Sequence, residues 1–277
     1  MSFTLVLAGG GVTGIAWETG VLLGLRDEGV DVRSCVDRVV GTSAGSVIGA
    51  QLLGDADLED LFAAQVAEEH HEIQPHLDLD LLMQVFAVMV DAGTQTDEQR
   101  RRIGELALGA DTVDEPTRRR VIEHRLTGLD WPERELVVTA IDAHSGEFVT
   151  WDRHSDVSLV DAVASSCAVP GVWPCVTIDG RRYYDGGLRN GANCFLARGS
   201  DRVLVVAPRI GGPSPSMDAE IERLRHDGAT VHLIETDPES VDAIGPDALD
   251  PSRRPPAAHH GRRQGRLHAP LVAGLLG

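Results

Sequence analysis

The chain has 277 residues, is 42% hydrophobic and 25% charged, and carries a formal charge of −18. That length suits one large α/β domain or one domain with an insertion, and an acidic surface repels phosphate backbones, which excludes DNA or RNA as a partner. All 25 basic residues are arginine, so chemistry that needs a lysine, such as a Schiff base or a P-loop lysine, is excluded too.

In chain order, the opening "MSFTLVLAGGG" has no basic start and reaches glycine after eight residues, so it reads as a buried strand and not as a signal peptide. "GGGVTG" then opens a helix running to about Glu28. A second strand ends at Val40, and a helix follows from Ala44 to about Leu53. Strand, helix, strand, helix predicts a mainly parallel sheet with helices on both faces.

Residues 55–128 read as a run of helices, each with a polar start and a turn at its end, inserted into the α/β framework. The second is apolar nearly all round, with Leu79, Leu82, Met83, Phe86 and Val90 on one side and Leu81, Val85 and Val88 on the other. It reads either as a core helix or as the wall or lid of an acyl-chain pocket.

Strands return in "RELVVTAIDA" and "GEFVTW", a hairpin across "HSG". A short helix in "SLVDAVASSCAVPG" stops at Pro170, and "RRYYDGG", "DRVLVVAP" and "ATVHLIETD" supply the later strands. From Pro251 the chain has five arginines, four prolines, three histidines and no acid. This divides the chain into a 1–250 domain and a 251–277 Arg/Pro-rich tail, either flexible or packed on the acidic body.

Cys35, Cys167, Cys175 and Cys194 have no metal-ligand spacing and suggest reduced thiols. With no apolar run long enough to span a bilayer, the expected location is cytoplasmic. Asp142 with His144, and Asp152 with His154, read as turn residues, not as metal ligands.

Three glycine turns carry the chemistry. In "GTSAGS", Gly41 and Gly45 flank Ser43 where a buried strand turns into a helix. Glycines there remove the Cβ atoms that would collide, leaving the serine exposed at the helix's positive end beside the Ala44 N–H. A helix N-cap is the competing reading. Gly9-Gly10-Gly11-Val12-Thr13-Gly14 fits the dinucleotide fingerprint, but the second strand ends in a serine turn where that fingerprint wants a ribose-binding acid. The same loop can instead aim several N–H groups at one oxyanion. Histidines after Ser43 do not sit in a loop following a late strand, whereas "YYDGG" puts Asp185 at a strand end beside Gly186 and Gly187. Asp185 is therefore the candidate base, with satisfaction of its own turn as the alternative.

Together these stretches, at 9–14, 41–45 and 185–187, resemble the patatin-like phospholipases, bacterial lipid acyl hydrolases among them. The family motifs are a G-G-G-x-x-G loop, G-x-S-x-G and D-G-G or D-G-A, and all three occur here in family order. The resemblance covers roughly residues 3–208. It implies a three-layer α/β/α hydrolase with a Ser-Asp dyad. Ser43 would attack an ester of a phospholipid or other acyl lipid, and Asp185 would act as base and then acid. Gly9, Gly10, Gly11 and Gly14 would form the oxyanion hole. An acyl-enzyme is then hydrolysed without metal or cofactor. The chain departs from the family at Thr13, where members often carry Arg or Lys, and after Asp185, where many carry a proline.

The expected partner is a lipid or acyl-ester substrate. Because the net charge opposes anionic lipid, that substrate should be neutral, zwitterionic or delivered singly, during transient contact with a membrane or micelle surface. Oligomeric state is left open. A non-catalytic lipid or acyl binder and an acyltransferase are the alternative functions.

Overall fold

Buried strand β1 (Phe3–Leu7) leads through the glycine loop into α1 (Gly11–Asp27), followed by a single turn, α2 (Val32–Cys35). Strand β2 (Arg38–Gly41) then turns into α3 (Ala44–Leu53). A helical stretch follows: α4 (Leu58–Val66), α5 (Leu79–Val90), α6 (Asp97–Leu108) and α7 (Glu115–Arg125). Strands β3 (Glu135–Asp142) and β4 (Phe148–Trp151), helix α8 (Leu159–Ser166), and strands β5 (Val176–Ile178) and β6 (Arg181–Asp185) come next. The chain continues with β7 (Arg202–Ala207), α9 (Pro215–His226), β8 (Thr230–Glu235), α10 (Pro238–Ile244) and α11 (Arg254–Leu276). The computed structural model describes residues 1–54, 56–73, 75, 77–90, 95–210, 212 and 214–277, with the Val90 side chain outside the described residues.

Five strands, in the order β3-β2-β1-β7-β8, run parallel. Their residues alternate between two cores, as the two-residue period of a strand requires. Phe3, Leu5 and Leu7 of β1 pack with α1, α3, α8 and α11, while Val6 and Ala8 face α9 through Met217, Ile221 and Leu224. The result is a central sheet flanked by helices, three layers deep.

The antiparallel strands at β3 bring the serine turn and the aspartate turn to one place. β4 lies along one edge of β3 from Val138 to Ile141. On the same residues, Val138 also pairs with Gly41 of β2, and Ala140 also pairs with Asp185 of β6. A strand residue has only two edges, so β2 and β6 must share the edge opposite β4. They run toward each other along it and stop two residues apart, roughly 7 Å of strand.

In two segments the sequence left alternatives open. Helix α5 is not surrounded: Leu81 and Val85 pack beside Ile103 of α6, Ile141 and Tyr184, while Leu79, Met83 and Phe86 are 67%, 68% and 55% exposed. The segment after Pro251 is a 23-residue helix packed along α1. A Cβ on Gly20 or Gly24 would come within 2.2 or 2.1 Å of the α11 backbone, and one on Gly261 or Gly265 within 2.1 Å of the α1 backbone. Only glycine permits that approach. Arg262 and Arg266 of α11 both reach Asp27, at 2.7 and 2.6 Å. All four cysteines are free thiols, Cys35 exposed and the other three buried.

Candidate active site

The turn from β2 into α3 gives Ser43 a φ of 52° and a ψ of −116°, a left-handed conformation that L residues rarely adopt. Its surroundings impose it. A Cβ on Gly45 would meet Leu7 O at 2.2 Å, and one on Gly41 would meet the Ser46 Cα at 2.6 Å, so neither flank tolerates a side chain. The Ser43 N–H donates to Ser166 Oγ at the end of α8 (2.8 Å), and its carbonyl accepts from Ser46 Oγ (2.6 Å). The backbone is thus clamped on both sides while the hydroxyl stays free to point inward.

Asp185 ends β6, where its N–H donates to Ala168 O (3.1 Å). Its carboxyl accepts the Gly187 N–H at 2.7 Å and interacts with the Ser43 hydroxyl. Both side chains are buried, Ser43 to 7% exposure and Asp185 to 2%. Burial pushes the Asp185 pKa up to about 7, against the opposing pull of the Ser43 hydroxyl and the Gly187 amide. A carboxyl tuned to that range can take a proton near neutrality and give it back.

The glycine loop closes the third side. A Cβ on Gly9 would lie 3.4 Å from the Ser43 Cβ and 4.0 Å from its Oγ, so the loop abuts the serine. Its N–H groups divide into two sets. Gly9 donates to Gly191 O (3.0 Å) and Gly14 to Gly10 O (2.8 Å), so both are spent on holding the loop. The N–H groups of Gly10, Gly11 and Ala44 have no partner among the described residues and remain available. Gly14 serves by its smallness, packed against Pro208 and Ala44. Gly11, at φ +64°, makes the turn.

A buried polar network that the motifs did not reveal ties the two side-chain loops together. Thr42 Oγ1 bonds Thr139 Oγ1 (3.0 Å), and Asn193 Nδ2 reaches Thr42 Oγ1 (3.1 Å) and Gly186 O (3.2 Å). Gly186 lies so close to Thr139 that a Cβ would meet its Oγ1 at 2.4 Å. Behind the loop, Glu18 of α1 is fully buried with neither oxygen hydrogen-bonded, and desolvation holds its pKa well above the usual carboxylate range despite the nearby Ala8 amide. The remaining acid–histidine pairs are turn-formers: Asp142 Oδ1 accepts from the His144 N–H (2.9 Å) and Asp152 Oδ1 from the His154 N–H (2.8 Å).

Two spaces meet at this centre. A cleft of about 560 Å³, lined among others by Gly9, Gly10, Gly11, Phe86, Met89 and Val169, has the size and apolar character of a ligand site. On the other side, a cavity of about 20 Å³ touches Ser43, Ala44, Arg118, Arg125 and Trp173.

The family model for patatin-like phospholipase matches residues 5–198. No curated protein matches the chain. Among solved structures, human GIVD cytosolic phospholipase A2 in complex with methyl gamma-linolenyl fluorophosphonate is 11% identical with a TM-score of 0.53, covering 99% of this chain and 59% of that one. VipD from Legionella pneumophila is 15% identical with a TM-score of 0.48, covering 98% and 67%. The type III effector protein ExoU is 16% identical with a TM-score of 0.45, covering 97% and 53%. The chain thus spans between 53% and 67% of these structures' lengths, and the first of them is similar to it in fold. Among the described residues, no helix is long and apolar enough to cross a membrane.

Proposed function

Because the chain belongs to the patatin-like phospholipase family, we propose that it is a serine lipid acyl hydrolase working through a Ser43–Asp185 dyad. The observation that carries this reading is a serine held at positive φ on a strand-to-helix turn beside a buried carboxyl whose pKa is near 7.

The ionised Asp185 carboxylate takes the Ser43 hydroxyl proton as Oγ attacks the ester carbonyl carbon. Negative charge moves to the carbonyl oxygen, where the N–H groups of Gly10, Gly11 and Ala44 receive it; each such donor is worth about 10²–10³ in rate. Collapse breaks the ester C–O bond, and Asp185 returns its proton to the departing alcohol oxygen. Water, deprotonated by Asp185, then attacks the acyl-enzyme and releases the fatty acid and Ser43. The chemistry runs entirely on these side chains and amides.

The apolar cleft beside the glycine loop suits the acyl chain. Phe86 and Met89 of α5 line it, and the same helix leaves Leu79 and Met83 exposed. That face gives a lipid, or the surface of a micelle or membrane, a point of entry continuous with the cleft. Incubation with an alkyl fluorophosphonate, followed by intact-mass measurement, tests the reading. One adduct on the wild type and none on Ser43→Ala is the expected result, whereas hydrolysis of a fatty-acyl ester by Ser43→Ala at the wild-type rate would overturn it.

A further inference from the structure

Helix α7 buries two arginines beside the nucleophile. Arg118, Val121, Ile122 and Arg125 recur at the three- and four-residue spacing of one helix face, and that face is turned inward. The two guanidinium groups have different surroundings. Arg125 is committed to Glu72, with its Nε 3.0 Å from Oε1 and its Nη2 on Oε2. Arg118 is 5% exposed, it stacks 3.8 Å over the Trp173 ring, and its buried Nη1 has no hydrogen-bond partner. Among the described residues no carboxylate lies within ion-pair distance of it. Burial, then repulsion from Arg125, push its pKa down to about 9, which leaves it charged at neutral pH. A buried cation without an acceptor is costly, so a partner for its N–H groups should lie within reach.

The adjoining space limits what that partner is. Arg118 and Ser43 are both walls of the cavity of about 20 Å³, together with Cys167, Val169 and Trp173. One water needs about 10–15 Å³ of such space, so the cavity takes one water, and no ester, glycerol or phosphate fits. A wholly apolar cavity of that size would stay dry, but here two walls are polar. Arg118 offers N–H donors. The Ser43 hydroxyl gives its own proton to Asp185, so its oxygen is left to accept one from a water. The cleft that suits the acyl chain is a separate space, with Gly11 and Val169 between the two.

We propose that this cavity holds one water between Arg118 and Ser43, and that Arg118 positions it to hydrolyse the acyl-enzyme. The inference rests on the Ser43–Asp185 reading and gives its second half-reaction a residue of its own. Asp185 is not a wall of the cavity, but Ser43 touches both, so the stored water is one side chain from the base. Once the alcohol has left, the water oxygen bonds to the acyl carbonyl carbon and gives one proton to Asp185. Collapse then breaks the bond from that carbon to Ser43 Oγ, which takes the proton back from Asp185, and the fatty acid is released. An acceptor such as glycerol is too large for the cavity and must arrive through the cleft, so the store favours hydrolysis over transfer.

The test is a competition for the acyl-enzyme. Wild type, Arg118→Met and Arg118→Lys are given a p-nitrophenyl ester of a fatty acid in the presence of glycerol, and free acid and monoacylglycerol are both measured. Their ratio is set after the acyl-enzyme has formed, so a variant that merely folds poorly loses both products together. A hydrogen bond from a charged donor is worth roughly 10–150-fold. Arg118→Met should raise the ratio of monoacylglycerol to acid by about that factor, and Arg118→Lys, which keeps a charged donor, should bring it part of the way back. An unchanged ratio in Arg118→Met overturns the proposal. A crystal structure of the wild type needs no variant: a water within about 3.2 Å of both an Arg118 nitrogen and Ser43 Oγ is expected, and no density there overturns it equally. If the wild type forms no acyl-enzyme by intact mass, the Ser43–Asp185 reading fails and takes the positioning role with it. An acyl-enzyme with an unshifted ratio sinks the water site alone.

Discussion

The side-chain amide of Asn193 donates to Thr42 Oγ1 at 3.1 Å and to Gly186 O at 3.2 Å, and so joins the residue before Ser43 to the residue after Asp185. Asn193 sits at φ +56°, fully buried, with its own N–H bonded to Asn190 Oδ1 (2.6 Å). One side chain thereby sets the spacing of both turns.

Replacing Asn193 with Ala strands these buried partners, which costs about 1–3 kcal/mol, and it places alanine in a left-handed conformation. The variant should lose several degrees in Tm and about tenfold in kcat with little change in KM. A thermal melt together with initial-rate kinetics checks both, and unchanged kcat would show the network to be structural only.

In the proposed dyad Asp185 must be ionised to act as base, so kcat/KM should rise with pH and level off above about 7, where burial places its pKa. The same raised pKa has an opposite effect on stability. Below about 3.8 the group is protonated whether folded or unfolded and costs nothing; as pH climbs through about 7 the fold must hold a buried charge. Asp185→Asn should therefore be inactive yet melt several degrees higher than wild type at pH 8, with the advantage fading toward pH 4. An advantage that grows on acidification would contradict the assignment.

Gly9→Ala probes shape without disturbing donors. The added methyl would meet nothing nearer than 3.4 Å, so the fold should tolerate it, but it would stand 4.0 Å from the Ser43 Oγ. A Tm within about 1–2 °C of wild type is expected, because the contact is ordinary van der Waals distance and surface-like in cost. Esters should be cleaved at least tenfold more slowly, while adduct formation with a small fluorophosphonate is less affected.

Glu18 supplies a separate test. Its carboxyl is buried without partners, and desolvation raises its pKa well above the usual carboxylate range. Because its pKa is raised on folding, its contribution to stability is lost as pH rises. Glu18→Gln keeps the shape and cannot ionise, so it should match wild type near pH 5 and exceed it in Tm at pH 9. Equal melting curves across that range would place the carboxyl in contact with solvent.

Residues alone reveal the fold and the site where the determinant is local. The glycines around Ser43, in the 9–14 loop and after Asp185 announce sharp turns, and the apolar runs between them announce a parallel α/β sheet. The meeting of Ser43 and Asp185 is not local. It depends on the register of β2 and β6 along β3, where Val138 and Ala140 each take a partner on both edges. Helix α5 is apolar on every side, so its pattern cannot say which face is left exposed. In α11 the arginines and prolines dominate the composition. The signal lies in the small residues Ala257, Ala258, Gly261, Gly265 and Ala269, whose helical spacing fits the glycines of α1. The inward arginines of α7 are likewise visible in the spacing of Arg118, Val121, Ile122 and Arg125, but charge alone reads as a solvated face.

The end-to-end placement of β2 and β6 has a consequence for synthesis on the ribosome. The serine turn leaves the exit tunnel early, while Asp185 follows 142 positions later. Until then the β3 edge opposite β4 has no occupant beyond Val138, and the Ser43 hydroxyl has no carboxyl beside it. A nascent polypeptide stalled before residue 181 should therefore resist fluorophosphonate, and one released after β8 should react. Strand order alone would then keep the unfinished serine turn unreactive until β6 is made.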